Sequence, residues 1–261
     1  MYFYFYDTFL AASKYHSVLS KIEARLMNLG ITGKIGRCSP LKSSRDLLFD
    51  AVKLGLKNII VVGNDKTFYR ALRDIVEKDV TLGYIPMEKH SMLAPIFGIP
   101  LYENACDVIS KRIVELVDVG KINDHYFFTR LQLKNARVSL ECDGRYKISY
   151  GSECRNIMIC NLGMSRNRVV TNHTRHNCKD GFLEAVIEHT SRISYIPWFT
   201  WRSKYTSARQ SVFPFQKIYV CTEEKPATIV ADDDLILKTP AKIEVLPRKQ
   251  KIIVGKDRSI Q

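Results

Sequence analysis

The sequence predicts an α/β domain in its first half and an all-β domain in its second. Apolar runs alternate with stretches of helical periodicity up to about residue 120, and short alternating segments divided by turn dipeptides, Asp143-Gly144 and Asp180-Gly181 among them, follow. Alternating strands and helices imply parallel strands joined by crossover helices, while closely spaced strands with turn signals imply antiparallel sheets. With 261 residues, 46% of them hydrophobic, the chain can fill one large core or two smaller ones, and cores divide as length grows past the usual domain size. The boundary falls near Ile122, giving domains 1–122 and 123–261.

Residues 2–6, "YFYFY", are a short aromatic run suited to a buried strand. "KYHSVLSKIEARLMNLG" sets Val18, Leu19, Ile22, Leu26 and Leu29 at helical spacing before Gly30 ends the helix. "SRDLLFDAVKLGL" repeats the pattern, with serines and an Asp at its N-terminal end, and "NIIVVG" is a fully buried strand rich in β-branched residues. "KTFYRALRDIVEK" is helical again, "VTLGYIPM" is strand-like, and "NACDVISKRIVEL" after Pro100 is the last predicted helix. No internal repeat and no low-complexity tract interrupts this order.

Lys and Arg total 40 against 27 Asp and Glu, a formal net charge of +13. Such a field favours anionic partners: nucleic acid, the negative face of a bilayer, or nucleotides and phospholipid headgroups. The 7 cysteines are scattered, odd in number and without a Cys-x-x-Cys pair. That argues against a disulfide framework or a zinc ribbon and suits a reducing compartment. "MYFYFYDTFLAA" has no basic leader before its apolar stretch, and no later stretch reaches about 18 uninterrupted apolar residues. The expected location is cytoplasmic, with any membrane contact peripheral at the inner face.

The polar knot Gly63-Asn64-Asp65-Lys66-Thr67 lies between a predicted strand and a predicted helix. In an α/β domain, ligands collect outside the carboxyl ends of the strands, where helix N-termini offer unpaired N–H groups to anions. Gly63 permits close backbone approach, Asn64 tolerates the left-handed conformation, and Thr67 or Asp65 can cap the helix. The same features describe an ordinary tight turn. Residue types alone leave both open.

Other landmarks surround the knot. "VVGNDKTF" carries Gly63, Asp65 and Thr67 at the spacing of Gly-Gly-Asp-Gly-Thr, with Asn64 and Lys66 in place of the other two glycines. "PMEKHSMLAPIFGIP", residues 86–100, has Pro86, Ala94, Gly98, Ile99 and Pro100 in step with Pro-Leu-Gly-Thr-Gly-Asn-Asp-Phe-Ala-Arg-x-Leu-Gly-Ile-Pro, but Glu88, Lys89, His90, Ser91 and Met92 occupy its polar centre. "LVDVGKINDHYFF" and "DGFLEAVI" continue the series, and "VADDDLILKTPAKIEVLP" sets Asp232, Asp233 and Asp234 on an Asp-Gly-Glu stretch. In these motifs the chain resembles the diacylglycerol kinase, sphingosine kinase and bacterial lipid kinase family, which shares its fold with NAD kinases. The likeness spans nearly the whole sequence. The family's opening Asn-Pro-x-x-Gly is missing, with Asp7, Thr8 and Ala11 nearest those places.

The resemblance implies a Rossmann-like parallel sheet in the first domain, a β-sandwich in the second, and an inter-domain cleft binding ATP and Mg²⁺ and phosphorylating a lipid, diacylglycerol-like, hydroxyl. It implies Gly63, Asn64, Asp65, Lys66 and Thr67, with Lys89 and Ser91, at the nucleotide, and Asp232 as base with Asp234 as its aid; metal ligands are left unassigned. Lys66 can replace lost backbone donors with a point charge, whereas Glu88 brings negative charge and bulk beside the phosphates. Partners implied are a nucleotide, a lipid substrate or anionic membrane surface, and a homodimer. The alternative is a catalytically inactive nucleotide- or lipid-binding protein of the same fold. Nucleic acid explains the charge but not the ordered landmarks.

Two further stretches carry a competing chemistry. "HTRHNC" brings His173, His176 and Cys178 together, but no second ligand pair lies at finger-like spacing. Residues 192–217 interleave both tryptophans with basic residues, a pattern that suits interfacial membrane contact as well as core packing of Trp198 and Phe199.

Overall fold

The structure, a computed structural model, describes residues 1–39, 42–144, 146–149, 154–162, 177–188, 210–222 and 225–260. The first half runs β1 Tyr2–Tyr6, α1 His16–Asn28, β2 Gly33–Arg37, α2 Ser44–Lys53, β3 Asn58–Gly63, α3 Asp65–Ile75, β4 Thr81–Pro86, α4 Leu93–Phe97 and α5 Ala105–Lys111. There follow β5 Ile113–Ile122, β6 His125–Phe127, β7 Arg130–Ala136, β8 Val138–Cys142, β9 Tyr146–Ser149, β10 Cys154–Cys160 and β11 Leu183–Glu188. The chain closes with β12 Gln210–Phe215, β13 Lys217–Thr222, β14 Thr228–Ala231, β15 Leu235–Lys238 and β16 Ala241–Val254.

β2, β1, β3 and β4 pair in parallel, as the strand–helix alternation requires, and every residue of β3 and β4 is buried. Leu19, Ile22 and Leu26 of α1 are buried at the spacing read from the sequence. The sheet does not stop at the expected boundary. β16 adds to β4 in parallel and continues through antiparallel β13, β8 and β9, making ten strands with β5 and β6 included. A second, six-stranded antiparallel sheet runs β12-β11-β10-β7-β14-β15, and the two sheets enclose a second core with Ile122, Leu131, Ile159, Phe215 and Ile243 in it. The α/β half and the β-sandwich are thus both present. The end of the chain returns to the first half, where Ile252, Ile253, Val254 and Ile260 join its core.

One predicted helix is corrected. "NACDVISKRIVEL" is helical only to Lys111; Arg112 turns into the left-handed region at φ 50°, and Ile113–Ile122 is a ten-residue strand. β16 supplies a ladder from Ile113↔Val254 to Ile122↔Ile243, and that partner overrides a helical pattern in a segment rich in β-branched residues.

Phe128 fixes how the halves meet. It leaves the β half to pack in the first core, 6.0 Å from Phe68 and 5.9 Å from Phe97 between ring centroids. Its ring is in one core and its backbone at the edge of the other.

Candidate active site

The carboxyl ends of β1, β3 and β4 lie side by side, with Gly63 opposite Pro86 and the Asp7 N–H bonded to the Val62 carbonyl. The loops after all three strands therefore gather at one edge, the usual place for a ligand in an open α/β sheet. The knot at residues 63–67 is at its centre.

Asn64 is the N-cap of α3 in a full capping box: the Thr67 N–H donates to Asn64 Oδ1 at 3.0 Å, and the Asn64 N–H donates to Thr67 Oγ1 at 3.3 Å. The Thr67 hydroxyl in turn donates to Asp7 Oδ2. Gly63 is required by this packing, since a Cβ there would sit 2.7 Å from Thr67 Oγ1 and 2.9 Å from its Cβ. With Thr67 capped, the first-turn N–H groups of Asp65 and Lys66 are left over at the head of the helix. Lys66 is exposed beside them.

Asp65 faces the second stretch. Its Oδ1 accepts from the Tyr84 hydroxyl at 2.9 Å and from Ser91 Oγ at 2.6 Å, and its Oδ2 from the Met92 N–H at 2.6 Å. Ser91 also caps the turn leading to α4, through the Ala94 N–H at 3.0 Å. Asn64 Nδ2 donates to Glu88 Oε1 at 3.1 Å, so two side chains at glycine positions of the resembled motifs are bonded to each other across the gap. Lys89 and His90 are exposed; His90 is in the cleft wall and Lys89 is not.

The acidic triplet stands opposite. Asn64, Lys66, Glu88, Arg130, Asp232 and Asp233 all line one cleft of about 160 Å³. Asp232 and Asp233 turn the β14–β15 hairpin in the left-handed region, at φ 49° and 54°, which Asp tolerates better than most residues. The Asp232 carboxylate is fully buried. It accepts from the Phe128 N–H at 2.9 Å, the Thr129 N–H at 2.7 Å, the Thr129 hydroxyl at 2.7 Å and the Arg130 N–H at 3.3 Å. Burial pushes its pKa up, and the hydrogen bonds from Phe128 and Thr129 oppose that rise. Asp233 is half exposed, with both oxygens on Arg130 Nη2 at 3.1 and 2.9 Å.

Asp234 is bound to helix α3. Arg70 grips it with Nε at 3.0 Å and Nη2 at 2.6 Å, and Arg73 adds Nη2 at 2.6 Å. Arg70 holds the Asp234 carboxyl below its ordinary range, against burial and with help from Arg73. Arg70 also lines a second hollow, of about 170 Å³, with Asp7, Thr8, Lys42, Ser43 and Thr67. A larger hollow of about 640 Å³ lies by Pro95, Asn104, Lys111 and Lys256, but it holds none of these carboxylates or of the knot.

The structure thus brings Gly63, Asn64, Asp65, Lys66, Thr67 and Ser91 together with Asp232, and reaches Asp234 through Arg70 and Arg73. Reading the sequence missed the three arginines. Arg70 and Arg73, three apart on a helix whose other face is apolar, were a readable signal; Arg130, on a distant strand, offered none. Cys178 is buried, and His173 and His176 lie outside the described residues, as do residues 192–209 of the tryptophan-bearing stretch. Among the described residues no group of three His, Cys, Asp or Glu could hold a metal, and no helix is long and apolar enough to cross a membrane.

No protein-family model matches the chain. Its structure is similar to that of a diacylglycerol kinase from Bacillus anthracis strain Sterne, with a TM-score of 0.77 and 20% identity over 98% of this chain and 97% of the other. It is also similar to an NAD kinase from Archaeoglobus fulgidus crystallised with ATP, with a TM-score of 0.61 and 15% identity over 99% of this chain and 96% of the other. The chain has the fold common to diacylglycerol kinases and NAD kinases, from end to end.

Proposed function

We propose that the chain binds the phosphates of ATP at the head of α3 and transfers the terminal phosphoryl group to the hydroxyl of a diacylglycerol-like lipid. One observation carries this: the spare N–H groups of α3 and the Lys66 ammonium share a cleft with Arg130, Asp232 and Asp233, in a lipid-kinase-like fold. Phosphoryl transfer asks little covalent chemistry of a protein beyond positioning and charge balance. Lys66 and the α3 N–H groups take phosphate oxygens, and Arg130 balances charge on the far wall. Asp232, with four donors on its carboxylate, holds the Phe128–Arg130 turn in place. Asp233, the half-exposed member of the triplet, is the carboxylate that can accept the hydroxyl proton as the new P–O bond forms and the bond to ADP breaks.

Mg²⁺ would supply charge neutralisation on the phosphates. Among the described residues no group of three His, Cys, Asp or Glu is set to hold it, and the carboxylates of Asp65, Asp232 and Asp234 are turned to protein donors. No step is assigned to it. The two hollows are each smaller than the ~300 Å³ at the low end of ligand pockets, so a nucleotide has to span both.

Binding without transfer is favoured by the Asn64–Glu88 bond, which places a carboxylate beside the phosphate position. One experiment separates the two. Radiolabelled ATP, Mg²⁺ and vesicles containing diacylglycerol are incubated with the natural protein and with Asp233→Asn. Label in the lipid that is lost in the variant supports transfer; ATP-induced thermal stabilisation without lipid labelling supports binding alone. Neither signal means that the cleft does not take ATP.

A further inference from the structure

An ion cluster of Arg70, Arg73 and Asp234 adjoins both hollows. Arg70 belongs to the wall of one, and its guanidinium reaches the triplet whose other members line the second. Arg70 and Arg73 face Asp232 and Asp234, so the cluster's charges balance while its hydrogen bonds are unevenly shared. Two guanidinium groups share the Asp234 carboxylate, and Arg73 Nη1 is buried without a hydrogen-bond partner, 4.0 Å from Asp232 Oδ2, which accepts from the Phe128 N–H. Arg70 is the exposed member: its side chain is 53% accessible against 14% for Arg73 and for Asp234.

We infer that Arg70 and Asp234 form a lock opened by phosphate, in which a polyphosphate at the head of α3 takes Arg70 from Asp234 and joins the two hollows into one channel. A phosphate matches the guanidinium fork as well as a carboxylate does, and carries more charge. Asp234 keeps Arg73 when Arg70 leaves, so no buried carboxylate is stranded, and the N–H groups of Asp65 and Lys66 with the Lys66 ammonium hold the same ligand. Asp234 is then a competitor of the ligand and not an aid to a base. This rests on the proposed reading only in placing phosphate at the head of α3.

Inorganic tripolyphosphate is the probe, titrated calorimetrically at matched ionic strength into the full-length natural protein, Asp234→Asn and Arg70→Gln. A partly exposed bidentate pair corresponds to about a two- to five-fold effect. Asp234→Asn should therefore bind more tightly by that factor, and Arg70→Gln more weakly. Equal or weaker binding by Asp234→Asn, or no binding by any form, overturns the lock. Should Asp234→Asn fail to fold, hydrogen exchange decides: tripolyphosphate should speed exchange at the Asp233 and Asp234 amides of the natural protein, whereas Arg70→Gln should exchange fast without it. Unchanged or slowed exchange at saturating tripolyphosphate also overturns it. If no lipid is labelled but this pattern holds, transfer fails and the lock stands. If lipid is labelled and Asp234→Asn binds no more tightly, the lock alone fails.

Discussion

Replacing Gly63 by Ala tests whether this glycine serves the fold or a ligand. The new methyl group would sit 2.7 Å from Thr67 Oγ1 and 2.9 Å from both Thr67 Cβ and Cγ2. Thr67 cannot swing away freely, because its hydroxyl both accepts from the Asn64 N–H and donates to Asp7. If the side chains stay, the clash is that of an overpacked core, about 1–3 kcal/mol. If Thr67 rotates, the capping box is lost at about 1 kcal/mol. The cheaper relaxation sets the cost, so Gly63→Ala should destabilise the protein by about 1–2 kcal/mol. Urea unfolding followed by circular dichroism measures it, and adding Thr67→Ser to Gly63→Ala, which removes Cγ2 and keeps the hydroxyl, should recover part of the loss. A change under about 0.5 kcal/mol, the range of an uninvolved surface position, would refute the packing account. So would a loss of phosphate binding at unchanged stability, which would assign Gly63 to the ligand.

Four more outcomes are expected. Asp232→Ala leaves the N–H groups of Phe128, Thr129 and Arg130 without their acceptor, and thermal melting should show a loss of about 4 kcal/mol. Phe128→Ala removes the ring shared with Phe68 and Phe97, and should cost about 3–5 kcal/mol and split the unfolding transition into two steps, visible by calorimetry. Because Arg70 holds the Asp234 carboxyl below its ordinary 3.8, the stability from this group is present above pH 3.8 and is lost as pH falls through the lower folded value. The fall in urea midpoint on acidification past that point should accordingly be shallower in Asp234→Asn. Lys66→Ala should leave the melting temperature unchanged, since Lys66 is exposed, while weakening tripolyphosphate binding in the same titration used for the lock.

Much of the architecture was legible because its causes are local. The buried run "NIIVVG", the spacing of Leu19, Ile22 and Leu26, and the turn residues of the second half each report a periodicity that any neighbouring core satisfies. The knot was legible as a strand-to-helix junction, but its cap was not: Asn64, read as a left-handed turn residue, caps α3 from an extended backbone in a box with Thr67, and neither Thr67 nor Asp65 is the cap. Where a segment depends on a distant partner, local pattern failed. Residues 113–116 carry a helical pattern until β16 is brought beside them.

By itself, then, the sequence determined the two kinds of structure, their order, and the residues of the knot and the acidic triplet, since these follow from side-chain spacing and from motifs a few residues long. Only the tertiary structure decided what the triplet's members do. Three adjacent aspartates are chemically alike on paper, yet one is buried under three backbone N–H groups, one is half exposed on Arg130, and one is gripped by two arginines of α3. A carboxylate's role is set by the donors around it and by its distance from water, and those come from Phe128–Arg130 and α3, segments about 100 to 170 residues away along the chain.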